Sequence, residues 1–240
     1  MKLLFIRHGD PNYELDRLTE RGHREAELLS ERLIKLPIKA IYSSPQGRAY
    51  ETCMHTAEKL GIAPIVLPWI REFPPLINRP DVDHPWIVWD WLPEDWTKEP
   101  RFLSADTWME PEVMASSEVP VLANKVCEGI DGILSEYGYK RVGKVYKTEK
   151  GNNDVLVFFC HFGVETLILS HLINASPMVM WHGFCAAPTA VIYCESEERR
   201  KGVVSWRINF GDLSHLPDAD ANLNRSARFC GTYENEERHD

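Results

Sequence analysis

The chain is 240 residues long, with 44% hydrophobic and 26% charged side chains, which is close to a soluble globular domain and unlike a disordered or collagen-like sequence. Its formal net charge of −9 opposes association with nucleic acid or an anionic membrane, and no apolar run approaches the ~20 residues of a membrane span. The six cysteines contain no Cys-x-x-Cys pair and the opening MKLLFIRHGD is too short for a signal-peptide core, so a cytoplasmic protein with reduced thiols is expected.

In chain order, Lys2–Ile6 reads as a buried strand that ends in charge and glycine. Ala26, Leu29, Leu33 and Leu36 then recur at helical spacing, with Thr19 as N-cap. Ala40–Ser43 predicts a second strand. Ser44-Pro45 opens a second helix whose inner face is Tyr50, Cys53, Met54, Ala57 and Leu60, stopped by Gly61. Pro64–Leu67 predicts a third strand. Residues 69 to about 117 carry six of the eight tryptophans among many prolines and read as an irregular, partly helical insertion. A long helix follows through Val119, Leu122, Val126, Ile130 and Ile133, then a polar connection, GYKRVGKVYKTEKGNND. Val155–Cys160 (VLVFFC) predicts a central strand buried on both faces, and His161-Phe162-Gly163 turns into another helix. Ala190–Cys194 and Val203–Ile208 are late strands that could pair as a hairpin, and the tail from about Leu216 is polar and without period.

Strands alternating with helices predict an α/β fold, a three-layer sandwich with a mostly parallel central sheet and helices on both faces. The whole chain, 1–240, is expected to be one domain, with residues 73–117 forming a lid or specificity wall. Functional loops in such folds lie beyond the carboxyl ends of strands. Three strand ends carry unusual residues: Arg7-His8-Gly9, Ser43-Ser44-Pro45 with Arg48 a turn later, and His161-Phe162-Gly163. Glu72 follows the third strand closely.

Two arginines, two histidines and a carboxylate suit phosphoryl transfer. Arginine offers paired donors that match phosphate oxygens, and fixed cations stabilise the charge of the group in flight. A neutral imidazole can serve as nucleophile, and a carboxylic acid can protonate the departing alkoxide and then activate water. In isolation Arg48 would read as an exposed helix arginine, and His161 as a satisfied core histidine. Glu94, Asp95 and Glu110 of the insertion are alternatives to Glu72 as the acid. The tryptophans could be core packing or a substrate-stacking cage, and His182 could be a pocket residue or the end of a turn. The nine histidines contain no His-x-His or His-x-x-x-His pair, so no metal site and no cofactor are expected.

The segments LLFIRHGDPNYELDRLTERGHREAELLSERL, IYSSPQGRAYETC, REF and FFCHFGV, in this order, resemble the histidine phosphatase superfamily, also called phosphoglycerate mutase-like. The resemblance covers about residues 1–72 and 153–194. It implies a phosphoglycerate mutase-like fold and a metal-independent phosphomonoester hydrolase of the histidine acid type. It further implies His8 as the phosphorylated nucleophile, Arg7, Arg48 and His161 as ligands of the phosphoryl oxygens, and Glu72 as acid and base. The partner would be a small phosphorylated metabolite, with the oligomeric state left open. Asp10-Pro11-Asn12-Tyr13-Glu14 departs from the family's mutases, which places a phosphomutase second. A non-catalytic regulator that binds phosphorylated ligands ranks below both, because the nucleophile and both arginines are present. Phe162 stands where the family commonly has glycine, so a bulkier pocket wall is expected there.

Overall fold

In β1 (Lys2–Arg7), Leu4 and Ile6 face one helical layer while Leu3 and Phe5 face the other, so the strand is buried on both sides. The computed structural model that shows this describes residues 1–218 and Glu234; the rest of the C-terminal tail, with Cys230, lies outside the described residues. A small antiparallel pair, β2 (Pro11–Asn12) and β3 (Arg17–Leu18), leads into α1 (Glu20–Leu33). The Thr19 hydroxyl caps α1 by accepting from the Gly22 N–H, as its position before the helix predicts. Next come β4 (Ile38–Ser43), α2 (Gly47–Leu60) and the two-residue strand β5 (Ile65–Val66).

The tryptophan-rich stretch is irregular as expected. It holds a hairpin of β6 (Leu76–Ile77) with β7 (Trp86–Ile87), the short helices α3 (Pro93–Trp96) and α4 (Glu112–Ala115), and two 3-10 turns at Pro68–Ile70 and Pro100–Leu103. Trp91, Trp96 and Trp108 are buried in the same apolar cluster as α5 (Val119–Glu136), so much of the insertion's aromatic content is packing. The chain then forms β8 (Tyr139–Val142), β9 (Val145–Thr148) and β10 (Val155–Cys160). It closes with α6 (Phe162–Ile173), α7 (Pro177–Gly183), β11 (Val191–Arg200) and β12 (Val203–Asp212).

The central sheet has eight strands in the order β5-β4-β10-β1-β11-β12-β9-β8. α1 and α2 cover one face through Leu29, Leu33, Cys53 and Ala57, and α5 and α6 cover the other through Val126, Ile130, Val164 and Ile168. The three-layer α/β architecture is as expected, but parallel pairing is confined to β5, β4, β10 and β1. The other half pairs antiparallel because hairpins build it. One of those hairpins corrects the sequence reading: the supposed polar connection is β8–β9, where buried Tyr139 and Tyr146 point inward and lysines point out. A second correction concerns α2, whose Tyr50 is exposed. Its buried face is Arg48, Ala49, Thr52, Cys53, Thr56 and Ala57, rotated toward polar residues that serve the site.

Candidate active site

Strand register gathers the site. Arg7 pairs with Cys160 and Phe159 with Ser43, so the next residues, His8, His161 and Ser44, emerge side by side from three adjacent parallel strands. Ladder hydrogen bonds continue past the strand ends: the His8 N–H donates to Cys160 O (3.1 Å) and the Ser44 N–H to Phe159 O (2.9 Å). The glycine after His8 is required by close approach, since a Cβ at Gly9 would lie 2.8 Å from the Gly22 carbonyl oxygen. Thr19 completes this knot by donating to Asp10 Oδ2 (2.6 Å).

The His8 ring is buried, and its Nδ1–H donates to the Gly9 carbonyl (2.8 Å). A carbonyl can only accept, so the proton is held on Nδ1 and the lone pair on Nε2. Burial first, then Arg7 and Arg48, hold the His8 pKa well below 6.5, which keeps the ring neutral. His161 lies 5.1 Å away, centroid to centroid, and is neutral for the same reasons, burial leading. Its Nε2 hydrogen-bonds with Ser44 Oγ (2.8 Å), and its buried Nδ1 has no protein partner.

Arg7 and Arg48 are both buried. Arg7 is anchored by donation to Ala186 O (2.6 Å), and Arg48 by Asp16, whose second carboxylate oxygen accepts from the Gly47 N–H (2.8 Å). The Tyr13 ring stacks on the Arg48 guanidinium at 5.3 Å. The Nε atoms of both arginines are buried without a partner. Two guanidinium groups with unspent donors beside a neutral, oriented imidazole form a site for a tetrahedral dianion.

Glu72 lies on the same cavity wall, with its backbone N–H held by the Gln46 side chain (2.6 Å) and its Oε1 accepting from the Phe73 N–H (2.8 Å). Burial pushes its pKa up, and the Phe73 N–H, Arg7 and Arg48 oppose that rise. Gly163 makes room for it, since a Cβ there would meet Glu72 Oε1 at 2.7 Å. Glu94, Asp95 and Glu110, the alternative acids, do not line the cavity; Asp90 does.

The cavity is about 430 Å³, and Arg7, His8, Arg48 and Glu72 are among the residues that line it. Phe162, the residue expected to thicken the wall, does line it. His182 is also a wall residue: it accepts from the Trp91 N–H (3.1 Å), donates to Met178 O (2.6 Å), stacks on Trp96 and is neutral, with burial pushing its pKa down to about 4. Sequence reasoning missed Asp16, Tyr13 and Thr52, which donates to Arg48 O and accepts from the Gly9 N–H (3.0 Å). It also missed Glu165, buried behind Arg7. Among the described residues, no group of three or more His, Cys, Asp or Glu could hold a metal ion, and no helix is long and apolar enough to cross a membrane.

Residues 3–77 match the histidine phosphatase superfamily (branch 1). A curated relative, a putative phosphoserine phosphatase 2 of Hydrogenobacter thermophilus, is 35% identical over 80 residues, covering 30% of this chain and 39% of that protein. The chain therefore matches about two fifths of that relative's length. Among solved structures, a mycobacterial glucosyl-3-phosphoglycerate phosphatase with inorganic phosphate aligns with a TM-score of 0.60 at 18% identity, covering 90% of this chain and 99% of that one. A phosphoserine phosphatase from Entamoeba histolytica with 3-phosphoglyceric acid gives 0.58 at 18%, with 90% and 99% covered. The alpha-ribazole phosphatase of Shigella flexneri gives 0.55 at 19%, with 89% and 97% covered. At these identities the structures establish a shared fold.

Proposed function

We propose, for a chain with the sequence signature of the histidine phosphatase superfamily in its first third and a phosphoglycerate mutase-like fold, that it hydrolyses small phosphomonoesters through a phosphohistidine on His8. One observation carries the proposal: Nδ1 of His8 is committed to the Gly9 carbonyl, which leaves the Nε2 lone pair as nucleophile on a ring that feels the buried guanidinium groups of Arg7 and Arg48.

Nε2 attacks phosphorus as the ester P–O bond breaks, and the carboxyl group of Glu72, whose pKa burial raises, gives its proton to the departing alkoxide. Arg7 and Arg48 balance the charge on the phosphoryl oxygens, and His161 binds one of them through its unpartnered Nδ1. The Glu72 carboxylate then takes a proton from water, whose oxygen attacks phosphorus and breaks the P–N bond. Inorganic phosphate leaves, and the starting protonation of both groups returns. The cycle needs no metal, because the guanidinium groups supply the positive charge.

The test is turnover of p-nitrophenyl phosphate in chelator, with mapping of the phosphorylated residue after rapid denaturation without acid. Activity that survives chelator, phosphate on His8 and no turnover by His8→Ala are expected. Phosphate on an aspartate, serine or cysteine overturns the mechanism. Transfer between phosphoglycerates without release of phosphate supports a mutase instead.

A further inference from the structure

Ser44 has no step of its own in the catalytic cycle, yet it is fully buried and bonded to His161. It follows β4 directly, and its backbone N–H donates to Phe159 O (2.9 Å), which ties it to β10, the strand from whose end His161 emerges. Its Oγ has two neighbours, the backbone N–H of Gln46 (3.2 Å) and Nε2 of His161 (2.8 Å).

The direction of these two bonds can be worked out from what each group is able to do. An amide N–H only donates, so one lone pair of the Ser44 oxygen is spent on Gln46. The hydroxyl proton then needs an acceptor, and among the described residues His161 Nε2 is the one in reach. A neutral imidazole has a single proton to place. On Nδ1 it leaves a lone pair at Nε2 for the Ser44 O–H, and the run from Gln46 through Ser44 to His161 is matched throughout. On Nε2 it would make the serine oxygen accept twice and turn its own proton away into the interior, where an orphaned donor is costly.

The consequence falls at the other nitrogen of the ring. His161 Nδ1 is buried without a protein partner, and the ring lies beside that of His8, 5.1 Å between centroids. As an N–H it can bind a phosphoryl oxygen; as a lone pair it would repel one. We propose that Ser44 is a positioning residue that fixes His161 as the Nδ1–H tautomer and thereby makes it a hydrogen-bond donor to the phosphoryl group at His8. Both histidines then have the same tautomer by opposite means: the Gly9 carbonyl accepts from Nδ1 of His8, and the Ser44 hydroxyl donates to Nε2 of His161. One ring is left with a lone pair to attack and the other with a proton to bind. The use of that donor rests on the phosphatase reading, but the tautomer is measured without turnover.

The decisive experiment records nitrogen-15 spectra of the imidazole rings in the labelled wild-type protein, Ser44→Ala and Ser44→Thr, with the His161 signals assigned by their loss in His161→Gln. Inorganic phosphate is titrated calorimetrically into each. The wild type and Ser44→Thr, which keeps the hydroxyl, are expected to carry the His161 proton on Nδ1. Ser44→Ala should populate the Nε2–H form and bind phosphate about tenfold more weakly, the size of one hydrogen bond to an anion. Circular dichroism checks folding, and the wild-type spectrum decides the tautomer even if a variant does not fold. A proton on Nε2 of His161 in the wild type overturns the proposal, as does a Ser44→Ala protein with the wild-type tautomer and phosphate affinity. A turnover assay separates the two readings: the expected tautomers and affinities without hydrolysis of p-nitrophenyl phosphate leave the role of Ser44 standing and remove the phosphatase.

Discussion

Glu165 offers a stability test that is independent of catalysis. Its carboxyl group is enclosed behind the site: Oε2 accepts from the Cys160 thiol (3.7 Å) and Oε1 has no partner. Burial raises its pKa from 4.5 to about 8; Arg7 opposes the rise and Glu72 adds to it. Below pH 4.5 the folded and unfolded chains both carry the proton, so the group is neutral to stability. Between 4.5 and about 8 only the folded chain keeps it, and stability falls as pH rises. Above about 8 both are ionised and the loss is complete. At about 1.36 kcal/mol per pH unit across that window, the full loss is on the order of 5 kcal/mol, most of it between pH 5 and pH 8, a large part of the 5–15 kcal/mol typical of a domain. Glu165→Gln keeps the shape and removes the titration. Urea unfolding at pH 5 and pH 8 should show the wild type losing stability relative to the variant by roughly that amount between the two conditions. Parallel behaviour of the two proteins would refute the reasoning and mean that Glu165 is ionised in the fold, balanced by Arg7.

Glu72→Gln should slow hydrolysis of an alkyl phosphate by about 10²–10⁴-fold and of p-nitrophenyl phosphate far less, because phenolate leaves without a proton; equal slowing of both would remove Glu72 from the role of acid. Arg48→Lys should lower kcat/KM by on the order of 10²-fold although charge is kept, since an ammonium cannot hold Asp16 and also present paired donors to phosphate. A lysine variant as active as wild type would place Arg48 outside the phosphate site. The His8 pKa lies well below 6.5, so kcat/KM, corrected for the substrate's own ionisation, should persist as pH falls through 6.5 and fail only well below it. An acid limb centred near 6.5 would show a solvated imidazole.

The parts of the fold legible in sequence are those where one residue type dominates a surface. VLVFFC is buried at every position, and the inner face of α1 repeats at Ala26, Leu29 and Leu33. α2 misled at Tyr50 because its inward face turns polar where it meets the site, and a count of apolar spacing cannot follow Arg48 and Thr52 into the interior. The β8–β9 hairpin hid for a related reason: its inward residues are two tyrosines and a threonine set among lysines and glycines. At the site, Arg7, His8 and His161 stand at strand ends, Arg48 in the first turn of α2 and Glu72 just after the 3-10 turn that follows β5, positions that local sequence marks. Asp16 reaches Arg48 across 32 residues, and the cavity wall is assembled from the insertion and α7, pairings that no local pattern encodes.

The division of labour between sheet and insertion has a consequence for how such a protein can change. His8 and Ser44 are held by ladder hydrogen bonds that continue β1, β10 and β4, and Gln46, just before α2, holds the Glu72 backbone at the threshold of the insertion. Most of the remaining cavity lining comes from the insertion and from the segment around α7, outside the eight-stranded sheet. The stretch between Glu72 and α5 can therefore be rebuilt without moving His8 from the end of its strand. A lineage can vary that wall while the residues carried by the sheet stay constant, and hybrid chains that graft another wall onto this sheet are a practical way to exploit that freedom.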